Sequence, residues 1–114
     1  MGRERLAAFV EAFFARLLED EVLGPYFRHL PDPERHLSRF TDFWWIALGG
    51  ESPDPPLIDM VGAHRHLRLS RALINRWLGL FAETARARLP PALAATLVGM
   101  AQGIGRRLER AVAD

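Results

Sequence analysis

Two of the four histidines of the chain lie one residue apart, within the segment DMVGAHRHLRLS at positions 59–70. They are His64 and His66, and a third histidine, His36, follows a proline-rich turn in the first half of the chain. Neutral imidazole is the commonest protein ligand for transition metals. The three side chains therefore indicate a metal ion or a metallocofactor, whereas His29, in the turn itself, is expected to be exposed and without a role.

The available donors suit haem better than a bare metal ion. Structural zinc usually takes four ligands, and a chain without cysteine would have to supply carboxylates at a metal-binding spacing that the sequence does not show. Haem needs one axial histidine, a flat apolar slot with aromatic walls and cations near its propionates. The aromatic residues that could line such a slot are Phe13, Phe14, Phe27, Phe40, Phe43, Trp44 and Trp77.

Two other interpretations of the same residues stay open. Aromatic residues at helical spacing also form ordinary cores, so the chain could be a cofactor-free helical interaction module. A non-haem metal site could be assembled from His36, His64, His66 and Asp59, because its ligands would come from separate segments.

The composition is that of one ordinary globular domain, residues 1–114. Hydrophobic residues make up 49% of the chain, charged residues 25%, and the net charge is +1, which argues against a nucleic-acid partner. The first residues match neither a secretory signal nor a spanning helix. We therefore expect a cytoplasmic protein with no membrane partner, either a monomer or a weak homodimer.

Apolar residues at three-and-four spacing predict an all-α chain with four helices and no strand. The first helix is expected to stop at Gly24-Pro25, the second to be capped by Asp32, and the third by Ser70. The predicted helices are 4–23, 33–48, 70–88 and 92–112. A long loop between the second and third helices, with a short helical turn near 57–61, would carry His64 and His66.

Each predicted helix has an apolar face that we expect to be buried. In the second helix this face is Leu37, Phe40, Phe43, Trp44 and Ile46 or Leu48. In the third it is Leu73, Ile74, Trp77, Leu80, Phe81 and Thr84, and in the fourth Leu93, Leu97, Met100, Ile104 and Leu108.

Three stretches together resemble the truncated haemoglobins, small bacterial globins with a two-over-two helical sandwich. FFARLLEDEVLGPYF is similar to the family's first long helix and the distal corner after it, and ERHLSRFTDFWW to the distal helix of the third subgroup. AHRHLRLSRALINRWLGLF resembles the proximal segment, where a tryptophan follows the axial histidine by thirteen positions. The resemblance covers nearly the whole chain and implies that it binds haem b.

The resemblance also implies a role for each matching residue. Counting back thirteen positions from Trp77 reaches His64, which would ligate the iron, with the expected apolar residue, Leu67, three positions later. The ligand pocket would be formed by Phe14, His36, Phe40 and Trp77. The haem itself would contact Phe27, which stacks on it, the aromatic residues Phe43 and Trp44, and Arg39 and His66 near the propionates.

One position departs from the family pattern. Many members carry a tyrosine where this chain has Phe14, and its hydroxyl donates a hydrogen bond to bound oxygen, which a phenylalanine cannot do. The resemblance thus implies a pocket more apolar than is usual. Its ligands would be oxygen, nitric oxide or carbon monoxide. Reversible binding, nitric oxide dioxygenation and peroxidase-like turnover, the last two with a reductase, all stay open.

Overall fold

The structure, a computed structural model, describes residues 2–29, 31–49 and 70–112. These ranges contain helices and turns and no strand, so the all-α prediction is confirmed. The helices are α1 (Arg3–Glu19), α2 (Gly24–Phe27), α3 (Pro33–Ala47), α4 (Arg71–Arg88) and α5 (Pro91–Val112). None of these helices is long and apolar enough to cross a bilayer. The chain divides into two compact units, of which the first contains α1 to α3 and the second α4 and α5.

The first helix ends four residues before its predicted end at Leu23. The backbone of Asp20 is extended, and its Oδ2 atom accepts the backbone N–H groups of Val22 at 3.1 Å and Leu23 at 2.8 Å. Such side-chain bonds offer the backbone an alternative to continuing the helix. The prediction that Gly24-Pro25 stops this helix was therefore wrong, since these two residues begin α2 instead.

Helix α3, the second of the four predicted helices, begins as predicted, but its predicted buried face was only partly right. Asp32 caps it by accepting the Arg35 N–H at 3.1 Å. Its buried residues are Thr41 and Trp44, whereas Phe40 and Phe43 are only half-buried. The predicted face followed the large apolar residues of the helix and did not include Thr41. In the structure the Thr41 hydroxyl donates to the Leu37 carbonyl at 2.8 Å, which satisfies it inside the protein.

In the second unit α4 and α5 form a helical hairpin joined by Leu89 and Pro90. The Ser70 hydroxyl caps α4 by accepting the Leu73 N–H at 3.2 Å, as predicted. The predicted inner face of α5 was only partly right, because the large side chains of Leu93, Met100, Ile104 and Leu108 are half-buried. The buried residues of this helix are mostly small: Ala94, Leu97, Val98, Ala101 and Gly105.

Gly105 allows the two helices of this hairpin to approach closely. A Cβ atom added there would lie 2.8 Å from Leu78 Cδ1 and 3.4 Å from Ile74 Cγ2. We expect Gly105→Ala to stabilise the protein by less than the ~0.5–1 kcal/mol of a Gly→Ala exchange at an open helical position, since the Leu78 side chain must shift to admit the methyl group. Urea unfolding followed by circular dichroism measures this change.

Gly99 provides the matched control, because it lies in the same helix and a Cβ there would meet nothing within 4 Å. Gly99→Ala should stabilise the protein by about 0.5–1 kcal/mol through helix propensity alone. Equal gains for the two variants would contradict the close approach of the two helices at Gly105.

Candidate functional site

Four aromatic rings from three helices lie together in the first unit. Phe14 of α1 packs edge-on against Phe27 of α2, with ring centroids 6.2 Å apart and an interplanar angle of 89°. His36 of α3 lies 6.2 Å from Phe14 and 6.4 Å from Phe40. We call Phe14, Phe27, His36 and Phe40 the outer aromatic face. Its phenylalanines are half-buried and its histidine is exposed, so the four residues form an aromatic surface that water reaches.

A second set of rings supports this face from inside. Phe13 and Trp44 are each only 1% exposed, and the Phe40 ring lies 6.4 Å from the first and 5.9 Å from the second. Phe9 stacks on Phe13 at 6.2 Å, and Phe43 packs edge-on against Trp44 at 5.1 Å. Phe40 therefore joins the core of the first unit to the outer aromatic face and fixes the position of that face.

Helical periodicity explains how two adjacent residues, Phe13 and Phe14, contribute one ring to the core and one to the outer aromatic face. Successive residues of an α-helix point about 100° apart, so Phe13 enters the core while Phe14 lies at the edge of the buried stripe. His36 and Phe40 are four residues apart and share one side of α3. Arg3 of α1 and Asp42 of α3 form an ion pair of 2.5 Å between the two helices.

The corner between α1 and α2 positions Phe27. The guanidinium of Arg28 donates from Nε and Nη2 to the Leu18 carbonyl at 3.1 and 3.0 Å, which satisfies a carbonyl in the last turn of α1. Gly24 makes this arrangement possible because a Cβ there would lie 2.8 Å from the Leu18 carbonyl oxygen and 2.7 Å from Arg28 Nη2. The sequence analysis predicted neither the role of Gly24 nor that of Arg28. An arginine three residues after a Gly-Pro pair is a signal that could have suggested the Arg28 contact.

We expect Gly24→Ala to destabilise the protein by about 1–3 kcal/mol, because the new methyl group must displace a backbone carbonyl and its capping guanidinium. Thermal unfolding measures the loss. Gly79→Ala is the control, since a Cβ at that helical position meets nothing within 4 Å. If Gly24→Ala is as stable as the wild-type protein, the corner does not depend on the contact between Gly24 and Leu18.

The predicted site residues fall into three groups. The structure brings Phe14, Phe27, His36 and Phe40 together, with Phe43 and Trp44 next to them and Arg39 exposed one turn after His36. Trp77 lies on α4, in the second unit, and stacks on Phe81 at 5.2 Å. His64, His66 and Asp59 lie outside the described residues, as do Leu67 and the predicted turn at 57–61.

The outer aromatic face fits one wall of a haem site. Half-buried phenylalanine rings present apolar surface to a flat macrocycle, and the imidazole of His36 is the one polar group among the four residues. Arg39 adds a cation of the kind that carboxylates at the edge of a macrocycle require. Over residues 2–29, 31–49 and 70–112, no group of three or more His, Asp or Glu side chains could hold a bare metal ion.

No family model and no curated protein matches the chain. The functional proposal below is therefore based on the chemistry and geometry of the residues themselves.

Proposed function

We propose that the chain is a haem-binding globin of the truncated, two-over-two type. In this proposal His64 holds the iron of haem b, and oxygen, nitric oxide or carbon monoxide binds on the side lined by the outer aromatic face. The observation that supports it best is that face, in which α1, α2 and α3 each contribute a ring to one water-accessible aromatic surface. When bound, haem supplies an iron that takes up a diatomic ligand and exchanges single electrons.

Within this proposal each residue of the face has a distinct task. Phe27 and Phe14 exclude water and give the macrocycle an apolar wall, and Phe40 holds that wall against the core. His36 is the one member of the face with a polar side chain, and its imidazole can donate or accept a hydrogen bond there. Arg39 and His66 would pair with the propionates, and Phe43, Trp44 and Trp77 would complete the aromatic surroundings.

The proposed face favours rapid exchange of ligands over tight storage. Hydrogen-bond donors stabilise the partial negative charge of bound dioxygen, and Phe14 provides none. Such a site suits reversible binding, nitric oxide dioxygenation or peroxidase-like turnover. The last two reactions also need an electron donor, so a reductase belongs to this proposal as a partner.

Titration of the chain with haemin tests the proposal. We expect uptake of one haem per chain with a sharp Soret band, and about tenfold weaker uptake by Phe27→Ala, since losing one aromatic wall costs ~1.4 kcal/mol or more. Val22→Ala is the control: Val22 lies near the same corner but is 42% exposed, and the substitution should leave uptake unchanged.

Two outcomes would overturn the proposal. A wild-type chain that stays colourless with excess haemin would favour the cofactor-free helical module. A haem-free chain purified with stoichiometric zinc or iron, and losing it on removal of His64 or His66, would favour the non-haem metal site.

A further inference from the structure

The small net charge of the chain conceals an uneven distribution. The described part of the first unit carries six arginines and eight carboxylates, a net charge of −2. The described part of the second unit carries seven arginines and two glutamates, a net charge of +5. The α4–α5 hairpin is therefore a basic element within a nearly neutral protein.

Most of this positive charge lies at one end of the hairpin. Gly105 faces Ile74 and Leu78 across the two helices, and the chain turns at Leu89 and Pro90, so α4 and α5 run antiparallel. The last turns of α5 then lie level with the first turns of α4. Among the described residues this end, which we call the open end, carries one carboxylate, Glu109, and the exposed arginines Arg71, Arg76, Arg106, Arg107 and Arg110.

At the open end the arginine side chains of α5 lie back along the helix and form a cationic surface. Arg110 donates from Nε to the Arg106 carbonyl at 3.4 Å, so its side chain lies back along the helix. Arg106 in turn reaches toward Gly103, where an added Cβ would lie 3.8 Å from its Nη2 atom. Like charges four residues apart destabilise a helix by about 0.2–0.5 kcal/mol, so this pair weakens the fold rather than supporting it.

The surroundings of these arginines favour a protein partner over an extended polyanion. Val22 and Tyr26, the exposed large hydrophobic residues among those described, both lie in the first unit, so the described side chains of the open end include no large, exposed apolar group to insert into a bilayer or stack on a base. Guanidinium groups pair bidentately with carboxylates, which suits a compact acidic patch on another protein.

We propose that the open end of the α4–α5 hairpin is the docking surface for an acidic electron-donor protein, which delivers one electron to the haem iron. This inference rests on the proposed haem function. Docking of redox proteins through small, charged surfaces is transient and steered by electrostatics, so it depends on ionic strength. The open end supplies the cationic half of such a contact.

Two double variants test the location of this surface. Arg106→Glu/Arg107→Glu reverses charge at the open end, and Arg86→Glu/Arg88→Glu reverses the same amount of charge in the last turn of α4. The two ends of α4 are about 25 Å apart, which is more than twice the Debye length of about 8 Å at 0.15 M salt. The probe is photoreduced flavodoxin, a strongly acidic one-electron donor, mixed with the ferric haem-loaded protein in a stopped-flow instrument.

We expect reversal at Arg106 and Arg107 to slow reduction by flavodoxin about tenfold at ~0.15 M salt, and reversal at Arg86 and Arg88 to slow it less than twofold under the same conditions. Rising salt should slow the wild-type reaction. Photoreduced lumiflavin, a donor without charge, should reduce all three proteins at one rate, which controls for damage to the haem site.

Equal effects of the two double variants would overturn the docking surface, because net charge alone would then explain the rates. Binding of the wild-type protein to a DNA duplex or to phosphatidylserine vesicles at ~0.15 M salt, lost in Arg106→Glu/Arg107→Glu, would overturn it in favour of a polyanion. A chain that takes up no haem overturns the proposed function as well. A haem-loaded chain with unchanged rates overturns the docking surface alone.

Discussion

Replacing Phe14 with tyrosine should slow the release of oxygen from the haem-loaded protein roughly tenfold to a hundredfold. The new hydroxyl would supply a donor that Phe14 lacks, and one hydrogen bond to a partly charged ligand contributes on the order of 1–3 kcal/mol. Phe14 is half-buried between Phe27 and His36, so the added oxygen atom lies at the surface of the face rather than inside the core. Stopped-flow displacement of oxygen by carbon monoxide measures the rate.

Tyr26→Phe provides the matched control for this experiment. Tyr26 is the one tyrosine of the chain, it is 36% exposed, and it lies on α2 next to Phe27. Removing its hydroxyl should leave the rate within twofold of the wild-type value. An unchanged rate in Phe14→Tyr, with haem bound, would show that Phe14 does not line the ligand side of the site.

Replacing Trp44 with alanine should lower the free energy of unfolding by about 3–5 kcal/mol. Trp44 is 1% exposed, and its indole packs against the rings of Phe40 and Phe43. A small domain is stabilised by about 5–15 kcal/mol in total, so this loss would unfold a large fraction of the chain under mild denaturant. Urea titration followed by circular dichroism measures it, and Trp44→Phe gives a milder change if the alanine variant does not fold.

Trp45→Ala is the control, because this neighbouring tryptophan is only half-buried. It should cost less than half as much as Trp44→Ala. Equal losses would contradict the burial of Trp44, rather than Trp45, on the inner face of α3.

The helices themselves were largely predictable from local chemistry. Asp32 and Ser70 cap α3 and α4 as expected, and proline and glycine mark the connections. The end of α1 was not predictable from proline and glycine alone, because the side chain of Asp20 ends the helix four residues before them. Short polar residues compete for the backbone at many positions, and the sequence does not show where they succeed.

The faces of the helices were harder to predict than their bounds. The prediction for α5 followed its large apolar residues, whereas its buried positions include Ala94, Ala101 and Gly105. Close packing of two helices favours small residues at the contact, and hydrophobicity alone ranks such residues low. Thr41 is also buried and was not predicted, and its hydroxyl donates to the Leu37 carbonyl of its own helix, as the hydroxyl of the buried Thr84 does to the Leu80 carbonyl.

The aromatic residues of the candidate site in the first unit could be predicted from the sequence. His64, the proposed iron ligand, lies outside the described residues. The resemblance to the truncated haemoglobins implied one pocket for Phe14, His36 and Phe40. In the structure the His36 ring lies 6.2 Å from the Phe14 ring and 6.4 Å from the Phe40 ring. The contribution of Phe27 depends on the corner built by Gly24 and Arg28, which involves a contact ten residues apart along the chain. The roles of His64, His66 and Trp77 stay predictions from the sequence.

The most direct test of the haem proposal is the absorption spectrum of the protein expressed with haem available, recorded in ferric, ferrous and carbonyl forms beside His64→Ala and His66→Ala. We expect a Soret band in the wild-type protein, an unchanged spectrum in His66→Ala, and loss of the histidine-ligated spectrum in His64→Ala, restored by added imidazole. A colourless wild-type protein would contradict the proposal, and loss of ligation in His66→Ala alone would contradict His64 as the iron ligand.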